Sequence, residues 1–137
     1  MIEKLKYKLN SNNSEKSSGN PQASVLIAIL NYGKFIEAPE LIYTQRSGNL
    51  STHSGEVSFP GGKADKTDSN LYETAMRESS EEISLNGENV TKLGKLNHLI
   101  SRHKIEVNPF VASIDKPQSF KPNEEIQDIF TVPLNFL

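Results

Sequence analysis

Apolar positions open the chain at helical spacing: Ile2, Leu5 and Leu9 predict a short helix over residues 1–9. Asn10 to Asn20 is rich in Ser and Asn without an apolar period, and reads as a flexible linker. Ala23-Ser-Val-Leu-Ile-Ala-Ile-Leu30 is a continuous apolar run rich in β-branched residues, the pattern of a central strand covered on both faces. After a loop over 31–39, Leu41 to Thr44 predicts a second strand. Glu56 to Phe59 predicts a short third strand entering a turn at Pro60-Gly61-Gly62. Leu71 to Ile83 returns to the helical period, with N-cap candidates between Asp65 and Ser69 and an expected stop at Asn86-Gly87. Lys92–Ile100 and Lys104–Ile114 predict two more strands, and Asp128–Val132 a last one ended by Pro133. Strands around one long helix predict an α/β domain on a mixed sheet. Residues 1–20 are the expected helix and linker, and 21–137 the expected domain.

Composition narrows the chemistry. A chain of 137 residues with 35% hydrophobic content has room for one core. A formal charge of −2 argues against a general nucleic-acid binder, which would be basic. The absence of cysteine removes disulfides, thiolate zinc sites and a thiol nucleophile, and fits a reducing compartment, so a cytoplasmic location is expected. The longest apolar run is far too short to span a bilayer, and no membrane partner is expected. His98 and His103 lie five apart with no third ligand near, so they make no convincing zinc set.

The helix 71–83 carries three carboxylates within five residues, Glu78, Glu81 and Glu82. Like charges one turn apart each cost roughly 0.2–0.5 kcal/mol, a cost that a divalent cation removes. At about 100° per residue, Leu71, Tyr72, Ala75, Ser79 and Ile83 fall in one arc facing the core. Glu78 and Glu82 then sit side by side at its edge and Glu81 further out. Arg77 is placed to pair with Glu81, while Glu73 and Ser80 point to solvent. Carboxylates in this arrangement suit Mg²⁺ or Mn²⁺. Gly61-Gly62 presents backbone without side chains, able to approach a metal or a phosphate closely. A Glu-rich helix is more often a solvated face and a Gly-Gly pair more often a plain turn; it is their combination that points to metal-assisted chemistry on a phosphorylated substrate.

These residues resemble the Nudix box. Gly62, Asp68, Arg77-Glu78, Glu81-Glu82 and Leu85 match its frame. Asp68 stands for the first Glu, one extra residue precedes Arg77, Ser79 replaces an aliphatic residue and Ser84 the closing Gly. The longer box is similar to the coenzyme A diphosphatase branch. So are the upstream Leu41-Ile-Tyr-Thr-Gln-Arg46-Ser47, His53 and Gly55-Glu-Val-Ser-Phe-Pro-Gly-Gly62, and the downstream Leu93-Gly94-Lys-Leu96, Pro109-Phe-Val111 and Asn123-Glu-Glu-Ile-Gln-Asp-Ile-Phe130 with Val132-Pro-Leu134. Ser51 stands where that signature has an Arg.

The resemblance implies a Nudix-like α/β/α sandwich; the family usually continues past Val-Pro-Leu, which leaves a naturally short form, a truncated product and a fragment as open alternatives. It implies metal-dependent hydrolysis of the pyrophosphate of coenzyme A or its acyl derivatives, giving 4′-phosphopantetheine and adenosine 3′,5′-bisphosphate. Glu78 and Glu82, with the Gly62 carbonyl, would hold Mg²⁺ or Mn²⁺. Glu81 and Glu125 are the candidate catalytic acids, one of them the base. Arg46, Ser47, His53 and Lys63 are candidate substrate contacts, with Arg102 a further cation. The expected partner is a small nucleotide of coenzyme A type, and a homodimer is left open. The alternatives are a Nudix hydrolase of ADP-ribose or NADH, and a nucleotide-binding module without catalysis.

Overall fold

The apolar run is buried because it has a partner on each edge and a layer on each face. The computed structural model describes residues 2–10, 15–49 and 54–136. Helix α1 is Ile2–Asn10 and helix α2 is Leu71–Ile83. The strands are β1 Gln22–Leu30, β2 Glu40–Arg46, β3 Val57–Ser58, β4 Gly61–Lys63, β5 Val90–Lys95, β6 Leu99–Ile100, β7 Glu106–Ile114 and β8 Ile126–Pro133. β1 pairs in parallel with β7 along its whole length, from Gln22 opposite Glu106 to Leu30 opposite Ile114. β5 and β6 pair antiparallel with the far edge of β7, so the sheet is mixed, as expected.

Alternation along the paired strands sorts the core into two halves. Leu26, Ala28 and Leu30 of β1 and Phe110, Ala112 and Ile114 of β7 lie under Ala75 and Ile83 of α2. On the other face Ile29, Leu41, Leu93 and Val111 gather around Leu9 of α1. The result is the predicted α/β/α layering. Helix α1 has nine residues, too few to persist alone. Its one fully buried side chain is Leu9, whose burial contributes roughly 1.5–3 kcal/mol. Residues 15–20 continue the attachment: Glu15 accepts hydrogen bonds from Lys95 Nζ (2.7 Å) and the His98 N–H (2.9 Å), and Ser18 N–H donates to Glu106.

On its other edge β1 meets β2 only at Ile29 opposite Leu41; the two then diverge. Segment 57–63 spans the gap. Its β3 end pairs with β2 at Thr44 and Gln45, and its β4 end with β1 at Ala23, Ser24 and Val25. Between them Pro60 O accepts the Leu26 N–H at 2.8 Å. β8 covers the remaining edge of β2. The described part of the candidate site forms where the sheet splits.

Four expectations are corrected. Gly61-Gly62 is not a turn at a helix N-terminus but strand β4, fixed by its ladder with β1. The N-cap of α2 is Asn70, whose side chain accepts from Glu73 N–H at 2.9 Å, one residue past the candidates. The helix stops at Ser84 rather than Asn86-Gly87. Lys92–Ile100 divides into β5 and β6.

Ser84 is left-handed, with φ 59° and ψ 36°, and occupies the position where the Nudix box carries Gly. A non-glycine residue there strains by roughly 1 kcal/mol. Ser84→Gly is therefore expected to raise stability by about 0.5–1 kcal/mol, read as a higher midpoint in urea with unchanged slope. A lower midpoint would show that the weak Ser84 hydroxyl bond to Lys121 O (3.4 Å) matters more than the strain. Among the described residues no helix is long and apolar enough to cross a membrane.

Candidate active site

Helix α2 lies over the split with its acids toward β4. Glu82 is buried, Glu78 partly buried and Glu81 exposed, as the helical projection predicts. The Gly61 N–H donates to Glu82 Oε1 at 2.9 Å. A Cβ built on Gly62 would fall 2.5 Å from the Glu78 carboxyl carbon, so this glycine makes room for the acid. A Cβ on Gly61 would run into Ser24 O, backbone against backbone. Both glycines are required by close approach, one to α2 and one to β1.

Arg77 organises the outer side of the cluster, and not chiefly through Glu81. Its Nε donates to Asp68 Oδ1 at 2.8 Å and Nη2 to Asp68 Oδ2 at 3.0 Å, a bidentate pair. Nη2 also reaches Lys63 O (3.1 Å), while Nη1 donates to Glu78 (3.0 Å) and Glu81 (3.3 Å). Asp68 is held well below the usual carboxylate range by Arg77, helped by the Asp65 N–H and the Thr74 hydroxyl. Asp68, which stands where the box has Glu, is thus tied to Arg77 by a bidentate ion pair.

Arg46 ends β2 at a bulge, and Glu125 lies just before β8, beside it. Their charged groups are 3.8 Å apart. Arg46 Nε is buried and without a hydrogen-bond partner among the described residues. Ser47 places its N–H on Glu125 O at 2.9 Å, but its hydroxyl turns to Asn49. Lys63 is exposed at the end of β4 and Arg102 is exposed in the turn between β6 and β7. His53 and Ser51 lie outside the described residues. His98 faces Glu15 (3.0 Å) and Glu106 (3.7 Å).

The acids repel one another. Burial pushes Glu82 up to about 7; the Gly61 N–H opposes this, the Glu78 and Glu125 charges add to it and Arg46 offsets part. Glu78 is also raised, first by burial, then against the pull of Arg77 by Glu81 and Glu125. Among the described residues no three acidic or imidazole side chains are already arranged to hold a metal ion. Glu78 leans to Arg77 and Glu82 to Gly61. The donor set still fits a hard cation: carboxylate oxygens on adjacent turns, under-neutralised, beside a glycine backbone. A divalent ion would answer the repulsion that Arg77 and Arg46 only partly cancel.

Two features escape a reading of the sequence. The Arg77–Asp68 lock is foreshadowed only by an acid nine positions upstream across a loop. Glu106 is a buried carboxylate, satisfied by Ser18 N–H (2.7 Å), Gln22 Nε2 (2.6 Å) and Asn108 Nδ2 (3.0 Å), and these bonds hold it at about 2. Its signal is the single charge in the strand Glu106–Ile114.

The NUDIX domain family model matches residues 20–135. A Pectobacterium atrosepticum protein described as Nudix hydrolase NudL is 44% identical over 115 residues, 83% of this chain and 58% of its own length. A protein of the same description from Yersinia enterocolitica is 40% identical over 119 residues, 86% of this chain and 59% of its own. The chain thus spans somewhat over half the length of these relatives. A Caenorhabditis elegans Ap4A hydrolase binary complex superposes with TM-score 0.68 at 19% identity, over 82% of this chain and 80% of that one. The NUDIX domain of Shewanella oneidensis NrtR, solved with ADP ribose, superposes with TM-score 0.62 at 16% identity, over 95% and 84%. At such identities the likeness speaks to fold, while the family match and the closer relatives speak to descent. Nudix hydrolases generally use divalent metal ions such as Mg²⁺. On the family match over nearly all its length and the relatives above 30% identity, this chain belongs to the Nudix hydrolase family.

Proposed function

We propose that the protein hydrolyses the pyrophosphate of coenzyme A or its acyl derivatives, giving 4′-phosphopantetheine and adenosine 3′,5′-bisphosphate. The observation that carries the reading is the convergence at the sheet split of Glu78 and Glu82, a glycine backbone, Arg46 and Glu125. Support for coenzyme A over other nucleotides comes from the upstream signature, whose Arg46 stands at the site.

Hydrolysis of a pyrophosphate is mostly positioning and charge neutralisation. When bound at Glu78 and Glu82 with the Gly62 backbone, Mg²⁺ or Mn²⁺ supplies charge neutralisation and a more acidic water. Arg46, whose Nε is buried without a hydrogen-bond partner among the described residues, stands beside Glu125 and binds a substrate phosphate. Glu125 takes the proton from the attacking water. It is favoured over Glu81, which is engaged by Arg77. Asp68 holds Arg77, and through it Glu78, in place, with Glu81 adding a longer contact. Lys63, exposed at the end of β4, is a candidate solvent-facing phosphate contact, and Ser47 is a candidate substrate contact through the segment that follows Arg46.

The test is product identification from coenzyme A with and without Mg²⁺, beside ADP-ribose and NADH. Expected is release of both named products only with the cation. Faster turnover of ADP-ribose or NADH would replace the substrate assignment. Calorimetric binding of coenzyme A with Mg²⁺ but no turnover would replace the enzyme by a binding module.

A further inference from the structure

We propose that Asn123 is a positioning residue that registers Glu125 against helix α2, an inference resting on Glu125 as the proton acceptor. The last carbonyls of a helix have no partner inside it. Here the connection from β7 to β8 supplies them: Lys121 N–H donates to Ile83 O at 3.0 Å and Asn123 N–H to Glu82 O at 2.9 Å. Asn123 thus binds the backbone of the very residue that carries the buried acid. Its side chain then accepts the Glu125 N–H on Oδ1 at 3.0 Å, and its carbonyl accepts the Ile126 N–H at 3.2 Å. Glu125 O in turn accepts from Ser47 N–H, next to Arg46.

One residue therefore links the backbones of Glu82 and Glu125. The linkage matters because the Glu125 side chain is 52% exposed and is not held by packing. Its closest charged partner, Arg46, stands at 3.8 Å, too far for a direct hydrogen bond. What places this carboxylate over the site is its backbone, and what places that backbone is the Asn123 turn and the Ser47 bond. An Asn two residues before the acid is suited to this, since its side chain mimics a backbone turn.

Asn123→Ala removes the side-chain amide, and with it the Oδ1 acceptor, and leaves the backbone bonds available. A misplacement near 1 Å can cost about 10²-fold, so kcat is expected to fall roughly 10- to 100-fold with KM changed less than about 3-fold. Asn123→Asp keeps the acceptor and is expected to return kcat to within about 3-fold of the parent. In a Glu125→Ala background, Asn123→Ala should change kcat less than about 2-fold, because it acts through the acid already removed. Amide exchange at Glu125, measured without metal or substrate, should quicken in Asn123→Ala and be restored in Asn123→Asp. Equal losses in both backgrounds, or unchanged exchange at Glu125, would overturn the proposal. Full turnover by Glu125→Ala alone would remove the proton-acceptor reading, and with it the catalytic consequence claimed here; the exchange rates would separate that failure from a failure of the Asn123 turn.

Discussion

Glu82→Gln is expected to lose hydrolysis by roughly 10³-fold or more, beyond the 10–100-fold typical of residues that only orient a metal ligand. The metal-free variant is also expected to be more stable than its parent at neutral pH. Both follow from one feature. Glu82 is buried beside β4 with Glu78 and Glu125 as like-charged neighbours, and its proton is retained to about 7 against an ordinary 4.5. The native state then holds a proton that the unfolded chain releases, so stability falls as pH rises from about 4.5 to about 7 and stays reduced above. A shift of this size corresponds to about 3 kcal/mol in the metal-free protein at pH 8, and to nothing near pH 4. The introduced amide keeps an oxygen that accepts the Gly61 N–H and carries no charge, so the variant escapes the loss. Urea unfolding in a chelating buffer at about pH 4 and about pH 8 should show the gap open only at the higher pH. Added Mg²⁺ should raise the parent's midpoint and leave the variant's alone. Normal turnover by the variant in Mg²⁺ would end the metal assignment, and equal stabilities at the higher pH would end the burial argument.

The fold is legible where local pattern and tertiary position agree. The β-branched run Ala23–Leu30 reads as a strand covered twice, and the arc of Leu71, Ala75, Ser79 and Ile83 reads as facing a core; the structure has both. The projection of α2 also sets Glu78 and Glu82 nearer the core than Glu81 from spacing alone, though not that Glu82 is the more buried of the two. The failures have one cause, contacts between segments far apart in sequence. Pro60-Gly61-Gly62 has the composition of a turn, and only the divergence of β1 from β2 makes it a strand crossing the gap. Arg77 has an acid at i+4, so its pairing with Glu81 can be foreseen, but the bidentate partner Asp68 comes from a loop. Ser84 has poor chemistry for a left-handed cap, and tertiary packing at the end of α2 overrides the better Asn86-Gly87. The role of Asn123 rests on a bond to Glu82, far away in sequence, which no local signal carries.

The neighbouring glycines should fail in opposite ways. Neither has a left-handed backbone, so alanine is admissible at both on dihedral grounds, and what differs is what the new methyl meets. At Gly61 it would collide with Ser24 O and come within 2.7 Å of Val25 Cα, both backbone in the β1–β4 ladder. Neither can move without parting β4 from β1, so Gly61→Ala is expected to cost at least about 3 kcal/mol. At Gly62 the obstacle is the far end of Glu78, a side chain that can swing away. Gly62→Ala should stay within about 1 kcal/mol of the parent, since the clash is relieved by rotation and alanine restricts the unfolded chain. Its expected loss is catalytic: Glu78 would leave the place where, on the proposed function, it shares a cation with Glu82, and displacement by an ångström or more is worth roughly 10²-fold in turnover. Rotation of Glu78 also breaks its 3.0 Å bond to Arg77, which Asp68 still anchors, so the loop 63–68 keeps its place. Thermal unfolding and steady-state kinetics on the two variants separate the claims. A stable, fully active Gly62→Ala would show that Glu78 does its work from elsewhere, and an undiminished midpoint in Gly61→Ala would show that β4 is not bound to β1 as closely as the ladder requires.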